Sequence, residues 1–180
     1  MKKLNKFLKY FVVLHSIQLL FELLPNLKIC NQWRGRCMRP FFKSCGKNFQ
    51  IAKGVTINVI WNMEVGDDVY IAHQCWINAA GGLKIESGVI LSPRVVVATT
   101  KHQYIDGRVS NTLSELAPII IGEGVWIASN SVVAKGTTIG AGSIIGACSS
   151  VTKNIEPYIF AAGSPAKALR TLYKEQEQVS

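Results

Sequence analysis

The side chains of this 180-residue chain best suited to chemistry near neutral pH are its three histidines and five cysteines. An imidazole titrates closest to that range and can relay a proton between a hydroxyl and a leaving group. His15, His73 and His102 share no short spacing. His102 stands apart by position, because it opens the long polar stretch from Lys101 to Pro118. His73 starts a strand corner and reads as exposed or structural. The cysteines, Cys30, Cys37, Cys45, Cys75 and Cys148, are odd in number and form no Cys-x-x-Cys pair. That pattern excludes a zinc ribbon or a disulfide framework and fits a reducing compartment. No metal site is expected.

The elements that must carry His102 are written in a six-residue step. Ile51, Ile57, Val65, Ile71, Ile77, Ile85, Leu91, Val97, Ile121, Ile127, Val133, Ile139, Ile145 and Val151 are all Ile, Leu or Val. A hexapeptide step predicts a parallel β-helix, one short strand and one turn per step. Three steps close a triangular coil, so every third position stacks. Ile57, Ile77, Val97, Val133 and Val151 form a first face. Val65, Ile85, Ile121 and Ile139 form a second, and Ile51, Ile71, Leu91, Ile127 and Ile145 a third. The step lengthens three times, around Trp61-Asn62, at Gly81-Gly82 and from 101 to 118. All three insertions leave from the same corner, between the first and second faces. Function collects on such interruptions of a rigid scaffold.

The formal charge of +9 is unevenly spread. Residues 1–50 hold ten Lys or Arg and one acid, Glu22; the remainder is balanced. Phe7 to Leu24 reads as an apolar helix ended near Pro25, too interrupted for a membrane span and lacking a signal-peptide cleavage site. Two readings of residues 1–47 stand side by side, an interfacial helix on an anionic membrane and a helix packed on protein. The basic stretch from Arg34 to Lys47 carries no nucleic-acid-binding motif, so nucleic acid is not an expected partner.

Gly122–Ile127 (Gly-x-x-Val-Trp-Ile), Ile145–Ala147, Val151–Lys153 and Ala162–Lys167 (Ala-Gly-x-Pro-Ala-Lys) together resemble the hexapeptide-repeat O-acetyltransferases of the galactoside, maltose and polysaccharide group. The resemblance runs from about Ile51 to Arg170. It implies an all-β, left-handed parallel β-helix, a homotrimer, and acetyl transfer from acetyl-CoA to a sugar hydroxyl in the cytoplasm or at the inner face of the membrane. His102 matches the family's catalytic histidine. Ser129, Ala147, Thr152, Lys153, Lys167 and Arg170 match positions that bind coenzyme A. Ser129 is the candidate donor to the oxyanion, and Asn130 and Ser131 beside it read as solvent-facing turn residues. Ala72 and Ala80 stand where galactoside-type enzymes carry polar acceptor contacts, so Asn78 becomes the candidate acceptor residue. The basic N-terminal segment then points to a cell-surface polysaccharide or lipid-linked glycan. The expected layout is a basic apolar helical segment over 1–50, a coil over 51–160 with an extruded loop 101–118, and a C-terminal helical tail over 161–180. Competing readings are a non-catalytic scaffold, an acetyltransferase for an amino sugar or antibiotic, and a zinc hydratase on the same coil. The last needs three histidines, and the coil offers two.

Overall fold

An aliphatic side chain every sixth residue can be buried only if each strand turns after two or three residues, and the chain folds that way. The computed structural model describes residues 8–172. Short parallel strands form three sheets. On the first face Ile57, Ile77, Val97, Val133 and Val151 pair in register. Val65, Ile85, Ile121 and Ile139 do so on the second, and Ile51, Ile71, Leu91, Ile127 and Ile145 on the third. Nearly all are under 5 % exposed. The coil begins before the aliphatic ladder, at Ser44–Cys45, which pairs with Glu64 and Val65.

Two helices close the first coil. Helix α1 (Leu14–Glu22) follows a π-helical turn at Leu8–Val13, and α2 (Lys28–Met38) crosses the coil mouth. The helical segment expected over 1–50 is thus two helices, the second falling in the basic stretch. Its stripe Asn31, Arg34, Gly35 and Met38 is buried, the spacing of one helix face. A Cβ on Gly35 would collide with the Phe49 carbonyl oxygen, so only glycine permits this approach. Arg34, 3 % exposed, bonds the carbonyls of Phe21, Leu24 and Pro25 and the Asn31 side chain. A guanidinium here satisfies carbonyls that the end of α1 leaves open. Phe42 and Phe49 pack edge to face beneath, at 5.3 Å.

The other end corrects the expected C-terminal helix. Ile159–Ala162 adds a parallel strand to the third sheet, with Ala161 beside Ile145. The chain then turns at Gly163, at φ +104°, and Lys167–Thr171 returns antiparallel. The Ala-Lys-Ala-Leu-Arg composition favours helix, but an open sheet edge offers a row of backbone partners that outweighs local propensity. Residues 173–180 of the expected tail lie outside the described residues.

Candidate active site

The stretch from 101 to 118 is a β-hairpin rather than an irregular loop. Strands Thr100–Ile105 and Arg108–Leu116 pair antiparallel, with His102 opposite Ser114. Asp106 and Gly107 form its two-residue turn, both at positive φ (49° and 77°). Asp-Gly is the preferred dipeptide for that turn. It was the signal in the sequence from which this hairpin could have been read.

The root of the hairpin is fixed by a residue that the sequence reading passed over. Thr99 is fully buried. Its N–H and its hydroxyl both donate to the Asn78 carbonyl, at 3.0 and 2.7 Å. Its hydroxyl accepts from Gly81 N–H at 2.8 Å, and its carbonyl from Ala117 N–H at 3.1 Å. A Cβ on Gly81 would lie 2.7 Å from the Thr99 carbonyl oxygen. The Gly81-Gly82 insertion thus seats the hairpin one coil above it. Lys135, in the next coil, holds the return strand through Glu115 at 2.8 Å. That ammonium, by hydrogen bond and then charge, keeps the Glu115 carboxyl below the ordinary range.

His102 is exposed, and none of the described residues hydrogen-bonds its ring. Strand alternation puts it on the side of Thr100, whose hydroxyl accepts from the Asn78 amide at 3.4 Å. The Asn78 amide oxygen already accepts from Ala80 N–H. A cavity of about 460 Å³ opens at the root, lined by Asn62, Ala80, Gly81, Lys84 and Pro118 among others. Ala72 is buried and Ala80 half-buried. His73 is exposed on a different corner. Among the described residues no three His, Cys, Asp or Glu side chains converge as a metal site.

The remaining predicted residues divide between two edges of the first face. Thr152 and Lys153 are exposed just after strand Ser150–Val151, on the corner that carries His102 two coils earlier. Ser129 and Ala147 lie on the opposite edge, in successive coils, where the Ser129 carbonyl accepts from Cys148 N–H. The turn from Gly163 to Ala166 continues that edge, bonded to Ser150 through Gly163 O and Ala166 N. It leads to Lys167 and Arg170, both exposed, with Arg170 5.6 Å over the Phe160 ring. Asn130 is an exposed turn residue at φ +60°. Ser131, expected in solvent, is instead fully buried. Its hydroxyl donates to Gly146 O at 2.9 Å and accepts from Ser149 N–H, so it joins coils. One protomer therefore gathers Ser129, Ala147, Lys167 and Arg170 on one edge and His102, Asn78, Thr152 and Lys153 on the other.

The family profile of bacterial transferase hexapeptides (six repeats) matches residues 118–153. The galactoside O-acetyltransferase of Escherichia coli K12 is 32 % identical over 139 residues, 77 % of this chain and 68 % of that protein. A protein of the same strain named as a colanic acid biosynthesis acetyltransferase, WcaF, is 29 % identical over 143 residues, 79 % of this chain and 77 % of that one. Among solved structures, a hexapeptide-repeat acetyltransferase from Vibrio cholerae, complexed with acetyl coenzyme A, superposes with a TM-score of 0.77 at 25 % identity. That match covers 89 % of this chain and 88 % of the other.

Proposed function

This chain belongs to the bacterial hexapeptide-repeat acetyltransferases, and on that premise we propose that it moves an acetyl group from acetyl-CoA to a saccharide hydroxyl with His102 as general base. The observation that carries the reading is the rigid root of the His102 hairpin, anchored by Thr99 and Gly81. Bound acetyl-CoA supplies an activated thioester. His102 takes the acceptor proton as the hydroxyl attacks and returns it to the departing thiolate. Ser129, through its N–H or hydroxyl, carries the charge that gathers on the carbonyl oxygen. The donor edge suits an elongated ligand. Ser129 and Ala147 are small and leave the backbone accessible, and Lys167 and Arg170 supply cations for phosphates at its end.

The division of these residues between two edges supports a homotrimer in which the His102 edge of one copy faces the Ser129 edge of another. Thr152 and Lys153 then reach the donor of the neighbouring copy. Surface chemistry supports the same arrangement. Exposed Trp76 and Val132 flank the Ser129 edge on one side, and Ile90 and Trp126 on the other. The second face instead turns Ser44, Glu64, Lys84 and Thr138 outward, with Ile120 as the single exposed aliphatic of that row. Apolar surface of this extent marks an interface.

Alanine at positions 72 and 80 supports an acceptor other than a galactoside, with Asn78 beside it. The basic N-terminal segment supports a lipid-linked or membrane-proximal glycan at the inner membrane face. The test is acetyl transfer to lipid-linked glycan extracts and free sugars, followed by complementation. Mixed and reassembled His102→Ala and Lys167→Ala/Arg170→Ala proteins should regain activity that neither has alone. No regain on mixing, with trimers shown by ultracentrifugation, would overturn the shared-site reading.

A further inference from the structure

Helix α2 has two unlike stripes. Asn31, Arg34, Gly35 and Met38 face the coil. Ile29, Trp33 and Arg36, at the same i, i+4, i+7 spacing, face away, with Ile29 62 % and Trp33 57 % exposed. Beside that outer stripe lies a cavity of about 400 Å³ whose cationic lining is Arg36, Arg39 and Lys47. One Arg39 Nη donates to Cys45 O at 3.0 Å. Arg36 and the Lys47 ammonium have no ion-pair partner among the described residues. The nearby acids are held by neutral donors, Asp68 by the Asn48 amide and Asp67 by the Lys47 N–H. Leu27, just before α2, is also exposed, as are Leu19 and Leu20 of α1 and Leu23 just after it, at 65–83 %. Arg34 ties the two helices together. No helix among the described residues is long and apolar enough to cross a membrane.

We propose that the outer faces of α1 and α2 seat on an anionic membrane surface, with a phospholipid headgroup phosphate in the cleft of Arg36, Arg39 and Lys47. Trp33, Ile29 and Leu27 then enter the boundary between headgroups and acyl chains. Three observations select a lipid surface as the occupant. All of the chain's net positive charge lies in residues 1–50. Three cations and no acid line the cleft, with Asp67 and Asp68 at its edge, and large apolar side chains border it. Trp and Leu beside a cationic cleft suit an interface that is apolar on one side and anionic on the other. This inference deepens the membrane-proximal reading of the acceptor and rests on it.

The test is co-sedimentation of the full chain with phosphatidylglycerol–phosphatidylcholine vesicles, with pure phosphatidylcholine vesicles, and with inorganic phosphate as competitor. Neither Arg36 nor Lys47 makes a side-chain bond that holds the fold, so Arg36→Gln/Lys47→Gln leaves folding intact. At about fivefold per cation, the pair should weaken binding to the anionic vesicles about 30-fold. Trp33→Ser should weaken binding without altering its salt dependence. Binding of wild type to anionic vesicles only, lost in the charge variant and little affected by millimolar phosphate, supports the proposal. Equal binding of wild type and charge variant overturns it. So does self-association abolished by Trp33→Ser in the absence of vesicle binding, which would make a second copy the occupant. Acetyl-CoA binding by calorimetry is measured separately. Its retention alongside failed vesicle binding would sink the lipid site and spare the enzymatic reading, and the reverse pattern would do the opposite.

Discussion

Replacing Arg34 with Met should release the helical cap while leaving the coil folded. Methionine keeps the stem's packing and removes the guanidinium. That group makes four contacts to the carbonyls of Phe21, Leu24 and Pro25, and one to Asn31. A hydrogen bond from a charged donor contributes about 1.5–3 kcal/mol. The contacts do not add fully, because Nη2 has two hydrogens for three acceptors and the Phe21 carbonyl keeps Leu24 N–H at 3.2 Å. Removing a buried cation also recovers part of its desolvation cost. The balance is a loss of about 2–4 kcal/mol, set mainly by the unpaired Leu24 and Pro25 carbonyls and the buried Asn31 amide. It falls on the junction of α1 and α2, since none of the guanidinium's hydrogen bonds goes to a coil residue. Hydrogen exchange with peptide-resolved mass spectrometry reads this directly. Amides of residues 14–38 should open about 30- to 700-fold more often, with residues 119–151 unchanged. Unaltered exchange in the cap would refute the assignment of Arg34 as its tie. Equal acceleration in the coil would show that the cap is not a separate unit.

His102→Ala should lower kcat by about 10²–10⁴-fold while sedimentation and thermal unfolding stay as in wild type; near-wild-type turnover would remove His102 from the mechanism. Cys75, buried and pushed up to about pKa 11 by that burial, should resist a maleimide pulse at pH 8 that labels exposed Cys148, and labelled Cys148 should impede acetyl-CoA binding on the adjoining edge; equal labelling of the two would refute the burial argument. Glu115 has a folded pKa below its ordinary value of 4.5, so its tie to Lys135 is complete above that value and is lost as pH falls through the depressed one. Carboxyl NMR should therefore show Glu115 titrating at a higher pH in Lys135→Ala than in wild type, and coincident curves would deny the contact. Ser131→Ala leaves the Gly146 carbonyl without its donor inside the coil, and should cost about 1–3 kcal/mol in chemical unfolding.

The coil was legible because its period is a property of the chain alone. An aliphatic residue at a fixed step can stack only on the residue one coil away, so composition and spacing settle both the strands and their register. Ile57, Ile77, Val97, Val133 and Val151 pair as their spacing requires. The corner that carries the insertions was legible for the same reason, as arithmetic on where the step lengthens. Other features depend on partners distant in sequence. Ser131 lies four residues after Ile127, the step at which Val89, Val95, Val125 and Ser143 are also buried, but only the fold shows that its hydroxyl joins coils through Gly146 and Ser149.

The sequence alone determined the prism, its three faces and the edge from which the His102 segment leaves. Tertiary structure decided what that edge holds and what closes the ends. Helix α2 exists because Gly35 lets backbone approach Phe49 and Arg34 finds carbonyls nine to thirteen residues away. Lys167–Thr171 is a strand because the third sheet presented an unpaired edge. His102 is held by the Thr99 anchor, which brings together Asn78, Gly81 and Ala117. Local pattern encodes what each residue meets at its own period. A hydrogen bond made across coils depends on where the whole chain has already gone.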